Sequence, residues 1–316
     1  MSEVPARHNL AAGFPATKTS PGDQGRDKFR GRLALALAFV LALPGCGTLT
    51  RGFLAPAGPI AAAERHEFII VGAILLLVIG PVLLLTPIIA WHYRLSNTKS
   101  AFRPEWGFSW ILEGLIWIPP TMIVVVLSIF LCWYTERLDP YRRLSSPLLP
   151  LEVQAVSLDW KWLFIYPEQH IAAVNELILP VGRPVHFSLT SGTVMQSFLL
   201  PKLAGQIFTM AGMTTQLNLA VSKPGTYWGE NAQFNGTGFQ AQKLQVIGVS
   251  PANFSRWVTT VQQTPNQLND KAYQSLSRKS ILSNPVTFGS VEPNLFSKIV
   301  KQAITSGYIK SQGKPQ

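Results

Sequence analysis

The sequence predicts a membrane-anchored β-sandwich: a hairpin of two membrane-spanning helices, an extracytoplasmic all-β sandwich of Greek-key type, and a helical C-terminal arm. Two apolar runs, at residues 68–91 and 111–134, are each long enough to cross a bilayer as a helix. Between residues 151 and 252, short segments alternate apolar and polar residues between turn signals, the pattern of half-buried strands. Apolar residues make up 47% of the 316 residues and charged residues only 14%, which also favours a chain that lies partly in lipid.

The composition narrows the possible functions. The chain carries a formal net charge of +11, yet no basic run is interleaved with aromatic residues, so nucleic-acid binding is not expected. Both cysteines, Cys46 and Cys132, precede the predicted sandwich, which excludes a disulfide framework and a cysteine-ligated metal site within it. The sandwich contains two histidines, His170 in a turn and His186 on the polar side of a strand, and we expect both on the surface.

The N-terminus has the organisation of a bacterial lipoprotein signal. Residues 1–45 combine a polar segment that ends in basic residues with an apolar run at 33–43, which is too short to span a bilayer. Cleavage before Cys46 would free that cysteine for attachment of a lipid. The alternative is an uncleaved anchor in which Cys46 is an ordinary free thiol.

The membrane part is predicted to be a hairpin with both ends outside the cytoplasm. A spacer rich in Pro, Gly and Ala, residues 46–67, leads to the first span at 68–91, and the second span follows at 111–134. The loop between them, residues 92–110, is short and basic, and such loops stay in the cytoplasm. An extracytoplasmic lipid on Cys46 requires the same topology, so two independent arguments agree.

The extracytoplasmic part begins with a proline-rich connector, residues 135–150, and continues as the sandwich at 151–252. Period-two alternation occurs in four segments, at residues 156–162, 185–190, 216–221 and 243–246. The first of these places Val156, Leu158, Trp160 and Trp162 on one face of a predicted strand and Ser157, Asp159 and Lys161 on the other.

The last segment, residues 253–316, is predicted to be a basic helical arm. Short amphipathic helices are indicated at residues 254–262, 270–280 and 294–305. The arm contains eight Lys and Arg residues against only Asp270 and Glu292, so its surface is expected to be positively charged.

The stretch Gly229–Gln242, GENAQFNGTGFQAQ, is a glycine-rich loop between two predicted strands, a place where sandwiches often carry functional residues. Its glycine frame resembles the copper loop of cytochrome c oxidase subunit II. The two cysteine positions of that loop hold Asn231 and Asn235, the glutamate position Gln233, the histidine position Phe239 and the methionine position Gln242, while a histidine position in an earlier loop holds Gln196. Without a thiolate or an imidazole, the loop is predicted to bind no copper. We expect amide hydrogen bonds to hold it together and Phe239 to pack in its interior.

Taken together, these features resemble subunit II of haem-copper ubiquinol oxidases of the cytochrome bo type, over essentially the whole mature chain. The most specific matches are VSLDWKWLFIYPEQ at residues 156–169, VNE at 174–176, MQSF at 195–198 and PGTY at 224–227. The resemblance implies a cupredoxin-like fold for the sandwich and a C-terminal arm of the quinol-oxidase kind. It also implies a subunit with no metal and no catalytic centre of its own, which covers and stabilises subunit I, where the haems and copper lie.

The resemblance further implies a bacterial inner-membrane complex that contains subunits III and IV and uses ubiquinol rather than cytochrome c as its electron donor. Within this family, Glu113 in the second span matches a glutamate at the mouth of a proton channel in subunit I. The alternative is a glutamate whose side chain reaches the lipid headgroups. Trp160 and Trp162 match an aromatic stretch that conducts electrons in the copper-bearing relatives, but without copper we expect them to serve as packing residues.

Two other functions are considered. A cytochrome c oxidase subunit II with a binuclear copper centre is disfavoured by the missing ligands. A free-standing sandwich lipoprotein that acts in assembly or signalling would be distinguished by the absence of haem-containing subunits when it is purified.

Overall fold

A computed structural model describes residues 52–98 and 105–305. In this part of the chain the α-helices are α1 (Pro59–His92), α2 (Trp110–Arg137), α3 (Pro251–Gln262), α4 (Asp270–Leu276) and α5 (Leu295–Thr305). The strands are β1 (Leu151–Leu158), β2 (Lys161–Tyr166), β3 (Ile171–Val174), β4 (Glu176–Pro180), β5 (Pro184–Ser191), β6 (Gln196–Leu199), β7 (Gln206–Thr209), β8 (Thr215–Ala220), β9 (Gly225–Asn231), β10 (Lys243–Val249), β11 (Gln267–Leu268), β12 (Val286–Phe288) and β13 (Ser290–Val291). The predicted signal and Cys46 lie outside the described residues.

Both predicted spans are helices long and apolar enough to cross a membrane, and their most apolar stretches are not covered by the rest of the described chain. The four prolines within them, Pro81, Pro87, Pro119 and Pro120, do not end either helix. The helices meet towards the N-terminal end of α1 and the C-terminal end of α2, where His66 Nδ1 lies 3.3 Å from the Tyr134 hydroxyl.

Helix α1 begins nine residues earlier than predicted, because much of the expected spacer is helical. Pro59 occupies the first turn, where its missing N–H costs nothing, and the Ala-rich segment that follows favours helix. This extension and the residues just before it pack on the sandwich: the Ala57 N–H donates to the Lys202 carbonyl (2.7 Å), and Ala61 is completely buried. Helix α2 is also longer than predicted, since it starts at Trp110 and ends at Arg137.

The sandwich consists of two sheets. One has the strand order β12-β3-β2-β1-β5-β8 and the other β4-β10-β9-β6-β7. The pairs β1–β5 and β4–β10 are parallel, and the other pairs in these two sheets are antiparallel. The chain changes sheet repeatedly, so the ends of strands from both sheets meet at the glycine-rich loop.

A single apolar core lies between the two sheets. Trp162 and Phe198 meet edge to face at its centre, with ring centroids 4.9 Å apart. The buried Tyr166 hydroxyl accepts from the Ile178 N–H and donates to the Ile178 carbonyl, both at 3.0 Å. It thereby joins β2 of one sheet to β4 of the other, and burial raises the pKa of this phenol.

The C-terminal arm packs on the sandwich and adds a strand to it. Strand β12 pairs with β3 at the edge of the six-stranded sheet. The outer faces of β1, β2 and β3 are covered by arm residues, which form a second apolar cluster: Leu268, Tyr273, Phe288, Leu295, Phe296 and Ile299. Burial raises the pKa of Tyr273 to about 12. The arm therefore covers a sheet face that would otherwise be exposed.

The predicted arm helices are present with shifted boundaries. Helix α3 starts at Pro251 rather than at residue 254, because the Ser250 hydroxyl caps it by accepting from the Asn253 N–H (3.3 Å). Helix α4 ends at Leu276 rather than at residue 280, and the segment after it turns towards β2.

The continuous strand predicted across residues 156–162 is wrong. The chain instead makes a tight hairpin at Asp159 and Trp160 between β1 and β2, and Leu158 pairs with Lys161. Trp160 has φ of 69°, a left-handed conformation rarely adopted by residues other than glycine. The alternation of apolar and polar residues therefore does not reveal the turn, because β1 and β2 both bury residues on both of their faces.

The expected surface position of His186 is also wrong, whereas His170 is exposed as predicted. His186 is only 7% exposed. Its Nδ1 lies 2.9 Å from Asn218 Oδ1, and the Asn218 side-chain amide donates to the Pro140 carbonyl (3.0 Å). The connector after α2 covers the polar side of β5, which hydropathy alone cannot reveal.

Candidate functional site

The site at the glycine-rich loop is a cluster of buried amides centred on Gln242, which is 1% exposed. The Gln242 side-chain N–H groups donate to the Leu158 carbonyl (3.2 Å) and to Gln196 Oε1 (2.5 Å). Its Oε1 accepts from Asn231 Nδ2 (3.1 Å) and Asn235 Nδ2 (2.7 Å). Four of the six positions that correspond to copper ligands are thus joined by direct side-chain hydrogen bonds.

Asn231 fixes the start of the loop. The structure continues β9 to this residue, so the loop begins three residues later than predicted. Asn231 Oδ1 accepts from the Ser197 and Gln233 N–H groups, each at 2.9 Å, and Nδ2 also donates to the Gln233 carbonyl (2.7 Å). Gln233 therefore joins the cluster through its backbone.

Phe239 does not fill the interior of the loop, contrary to expectation. It lies half-buried in a 3-10 turn, Phe239–Ala241, with its ring centroid 5.8 Å from that of Phe234, which is 73% exposed. The interior is filled by amides instead. Each amide donates and accepts, so these side chains can bond to one another, which an apolar ring in the same place could not do.

Trp160 covers one side of the loop. Its indole lies against Gly236 and Gly238, and a Cβ atom at position 238 would lie 2.1 Å from Trp160 Cδ2. Gly236 has φ of +112°, a conformation that favours glycine. These two glycines let the backbone of the loop approach the ring. Trp162 is buried in the core, so the two tryptophans of this stretch serve packing in different places.

We expect Gly238→Ala to destabilise the sandwich by about 1–3 kcal/mol, because the added methyl group forces the Trp160 ring out of contact with the loop. Thermal unfolding of the purified full-length chain, followed by tryptophan fluorescence, measures the effect. Thr237→Ala, at an exposed neighbouring position, is the control and should change stability by less than about 0.5 kcal/mol. Equal stability of the two variants would contradict the packing role of Gly238.

Lys161 joins the arm to the same hairpin. Its buried ammonium donates to the Arg278 carbonyl and to the Ser280 hydroxyl, each at 2.7 Å. Burial lowers the pKa of Lys161, and the negative charge of Asp159 opposes that shift. The segment after α4 therefore contacts the hairpin whose tip, Trp160, lies against the glycines of the loop.

The residues at this site do not fit a copper centre. Amide side chains are weak, neutral donors, whereas electron-transfer copper sites use a thiolate together with imidazoles. Within residues 52–98 and 105–305, no group of three or more His, Cys, Asp or Glu side chains is placed to hold a metal ion. The buried amide groups of Gln242 and Asn231 already bond to one another and to the surrounding backbone.

Glu113 lies far from this cluster in sequence, in the first turn of α2. Its Oε2 accepts a hydrogen bond of 3.1 Å from the Trp117 indole N–H, one helical turn further along. This hydrogen bond holds the carboxylate along the side of the helix.

Sequence reasoning missed two contributions of β1 and the turn after it to this site. One is the Leu158 carbonyl, which accepts from the side-chain amides of Gln242 and of Gln196 (3.3 Å). The other is Trp160, which was assigned to a strand. Both could have been predicted from Asp159-Trp160, a pair that stands between two apolar runs and can form a two-residue turn.

Two family models match the chain. The model described as cytochrome c oxidase subunit II, periplasmic domain, matches residues 167–247, and the one described as COX aromatic rich motif matches residues 262–305. The second covers most of the described arm. A solved structure, the periplasmic domain of subunit II of cytochrome oxidase of Bradyrhizobium japonicum, aligns at 20% identity with a TM-score of 0.35, over 37% of this chain and 96% of that one.

Relatives match over most of the chain. The cytochrome bo(3) ubiquinol oxidase subunit 2 of Pseudomonas putida is 40% identical over 83% of this chain and 82% of its own length. The ubiquinol oxidase subunit 2 of Acetobacter aceti is 40% identical over 88% of this chain and 90% of its own length. With its two apolar helices, β-sandwich and C-terminal arm, the chain belongs to the ubiquinol oxidase subunit II family.

Proposed function

We propose that this chain is the non-metallated subunit II of a proton-pumping respiratory quinol oxidase, which couples quinol oxidation to the reduction of oxygen to water. The observation that carries the proposal is the amide cluster. Where the copper-bearing relatives bind metal, Gln196, Asn231, Asn235 and Gln242 bond to one another in the interior of the loop. The chain would therefore cover and stabilise subunit I, with the haems and copper held by that partner.

The absence of copper ligands fits a donor that arrives through the membrane. A quinol diffuses in lipid and can reach subunit I directly, so no extracytoplasmic metal relay is needed. The charge of the chain supports the same donor. From Thr135 to the C-terminus there are 16 Lys and Arg against 9 Asp and Glu, so the domain has no excess of acidic residues to attract a basic cytochrome c.

The proposed setting is the bacterial inner membrane, with subunits III and IV as further partners. The sandwich and the N-terminus would lie on the periplasmic side, and the loop between α1 and α2 in the cytoplasm. Glu113, at the inner end of α2, would then deliver protons to a channel in subunit I. Support comes from its position within the span, where ionisable side chains usually have a functional partner.

The complex purified through this chain should contain haem and should show no copper bound to this subunit. Affinity purification in mild detergent, followed by a haem spectrum and mass spectrometry, tests the association. Metal analysis of the separated subunit should give much less than one copper per chain. A haem-free preparation would favour a free-standing lipoprotein, and stoichiometric copper in this chain would contradict the role given to the amide cluster.

Processing is predicted to yield a mature chain that starts at a lipid-modified Cys46. Intact-mass spectrometry of the purified subunit should show the loss of residues 1–45 and the added mass of the lipid. Because two helices already span the membrane, Cys46→Ser should leave the chain in the membrane fraction even though the lipid is lost. An unprocessed residue 1–45 segment in the assembled complex would show that the prediction is wrong.

A further inference from the structure

The segment that leaves the membrane after α2 carries three exposed arginines, Arg137, Arg142 and Arg143. Arg137 is the last residue of α2, and its guanidinium lies over the Trp133 ring, 5.0 Å from the ring centroid. Among the residues that the structure describes, none of the three forms an ion pair. Their positive charges are therefore open to a partner outside this part of the chain.

The end of the span sets the depth of Arg137. Trp133 and Tyr134 are aromatic residues at the end of the apolar run, and such residues lie at the headgroup level of a bilayer. Arg137 is one helical turn further, about 6 Å along the axis, and the headgroup region is about 5–8 Å deep on each side of the hydrocarbon. The Arg137 guanidinium is thus placed at the level of the lipid phosphates.

A tight turn keeps the other two arginines close to the end of the helix. The Tyr141 N–H donates to Asp139 Oδ1 (2.9 Å), and the Arg142 N–H donates to the Asp139 carbonyl (3.0 Å). These bonds fold the chain back on itself directly after α2. The backbone of Arg142 and Arg143 therefore stays beside Arg137 instead of continuing away from the membrane.

Contacts with β8 hold the turn in this place. The Pro140 carbonyl accepts from the backbone N–H and from the side-chain amide of Asn218, each at 3.0 Å. Just after β8, the Ser222 N–H donates to the Ala57 carbonyl before α1 (2.8 Å). The segments that join both membrane helices to the sandwich thus contact the same edge of it. The arginines lie on the side of the sandwich from which the helices leave.

The chemistry of the three side chains fits an anionic phospholipid. A guanidinium group binds phosphate oxygens through two parallel hydrogen bonds, and it is more weakly hydrated than an ammonium group. Tyr141, 46% exposed, adds an amphipathic ring of the kind found at headgroup level. Of the two acidic neighbours, Glu136 and Asp139, the second directs its carboxylate to the Tyr141 N–H rather than to a guanidinium.

We propose that Arg137, Arg142 and Arg143 form a binding site for an anionic phospholipid, one whose headgroup has no amine to neutralise its phosphate, in the leaflet next to the sandwich. The bound lipid would fix the height of the connector above the membrane, and through Pro140 the position of β8. The site needs only the span and the turn after it. It therefore stands independently of the electron donor used by the complex.

Lipid titration of the purified full-length chain tests the site. Native mass spectrometry in detergent counts bound dioleoylphosphatidylglycerol or dioleoylphosphatidylcholine on the delipidated chain. The parent should bind the glycerol lipid at least about tenfold more tightly than the choline lipid, and Arg142→Gln with Arg143→Gln should weaken that binding at least about tenfold. Equal affinity of the parent for the two lipids, or unchanged binding by the double variant, would overturn the inference.

The matched control removes the same charge from the C-terminal arm. Arg256→Gln with Lys271→Gln changes two exposed basic residues of α3 and α4, and binding of the glycerol lipid should stay within about twofold of the parent. A loss as large as that of the connector variant would show an effect of net charge alone, and the site would be wrong.

The lipid and haem that copurify with this chain distinguish a lipid from a protein partner. Complex that carries Arg142→Gln with Arg143→Gln should retain several-fold less anionic phospholipid than the parent, with the same haem per chain. If the variant instead loses haem and keeps its anionic lipid, the arginines bind a protein surface and the inference fails. A haem-free parent preparation would contradict the proposed function alone, because the titration of the isolated chain still decides the lipid site.

Discussion

Replacing Gln242 with Met should destabilise the sandwich by about 2–5 kcal/mol, the largest stability effect that we expect from a single substitution in the loop. Methionine preserves the length of the side chain but can neither donate nor accept as an amide does. Asn235 Nδ2 and Gln196 Oε1 would lose the partners that Gln242 provides, and both Gln196 and Gln242 are buried. The penalty is therefore the cost of buried polar groups left without partners, rather than the loss of ordinary surface hydrogen bonds.

Thermal unfolding of the full-length chain in detergent measures this effect. At about 2–4 °C for each kcal/mol, the unfolding midpoint should fall by roughly 5–15 °C. Gln240→Met makes the same change at an exposed position of the same loop and should shift the midpoint by no more than about 2 °C. Similar midpoints for the two variants would show that the amide cluster does not hold the loop.

The sequence could predict the chemical character of this site but not its arrangement. Residue types alone exclude a thiolate or imidazole centre, and the glycines at positions 229, 236 and 238 identify the loop. Which side chains point inwards depends on the 3-10 turn at Phe239–Ala241, which turns Phe239 outwards and Gln242 inwards. No periodicity in the 11-residue segment 232–242 between β9 and β10 encodes that choice, so the expectation for Phe239 was wrong.

Lys161 and His186 were both assigned to the polar side of a predicted strand, and both are buried for the same physical reason. Hydropathy patterns assume that polar residues face water, but Lys161 and His186 are buried against other parts of the chain. The Lys161 ammonium is satisfied by the Arg278 carbonyl, more than a hundred residues later, and His186 by Asn218 beneath the connector. Such partners come together only in the folded chain, so the sequence alone placed these residues incorrectly.

The membrane hairpin was the most predictable part, because bilayer thickness fixes how many apolar residues a span needs. The ends of the two helices were less predictable. The extension of α1 from residue 67 back to Pro59 depends on contacts with Lys202 and Leu203 of the sandwich, where the Ala61 N–H donates to the Leu203 carbonyl (3.4 Å). Apolar length therefore locates a span, while tertiary packing decides how far the helix continues beyond the membrane.

Glu113→Gln should slow oxygen reduction by the assembled oxidase by roughly an order of magnitude, while haem content stays unchanged. This is less than the factor of about 100 or more contributed by a proton-transfer group at a reacting centre, because water can partly replace a carboxylate near a membrane surface. Glutamine keeps the size of the side chain and can still accept from the Trp117 indole, so the substitution removes the titrating group and preserves the packing. Glu113→Asp still titrates and should retain more activity than Glu113→Gln.

The measurement is quinol-dependent oxygen consumption by purified, haem-quantified complex between pH 6 and 9. Glu105→Gln is the matched control, because it removes an exposed carboxylate from the loop between the spans rather than from α2. Its turnover should equal that of the parent chain at every pH. If the Glu113→Gln complex also turns over quinol at the parental rate across this range, the Glu113 side chain only reaches towards the lipid headgroups, and protons enter subunit I elsewhere.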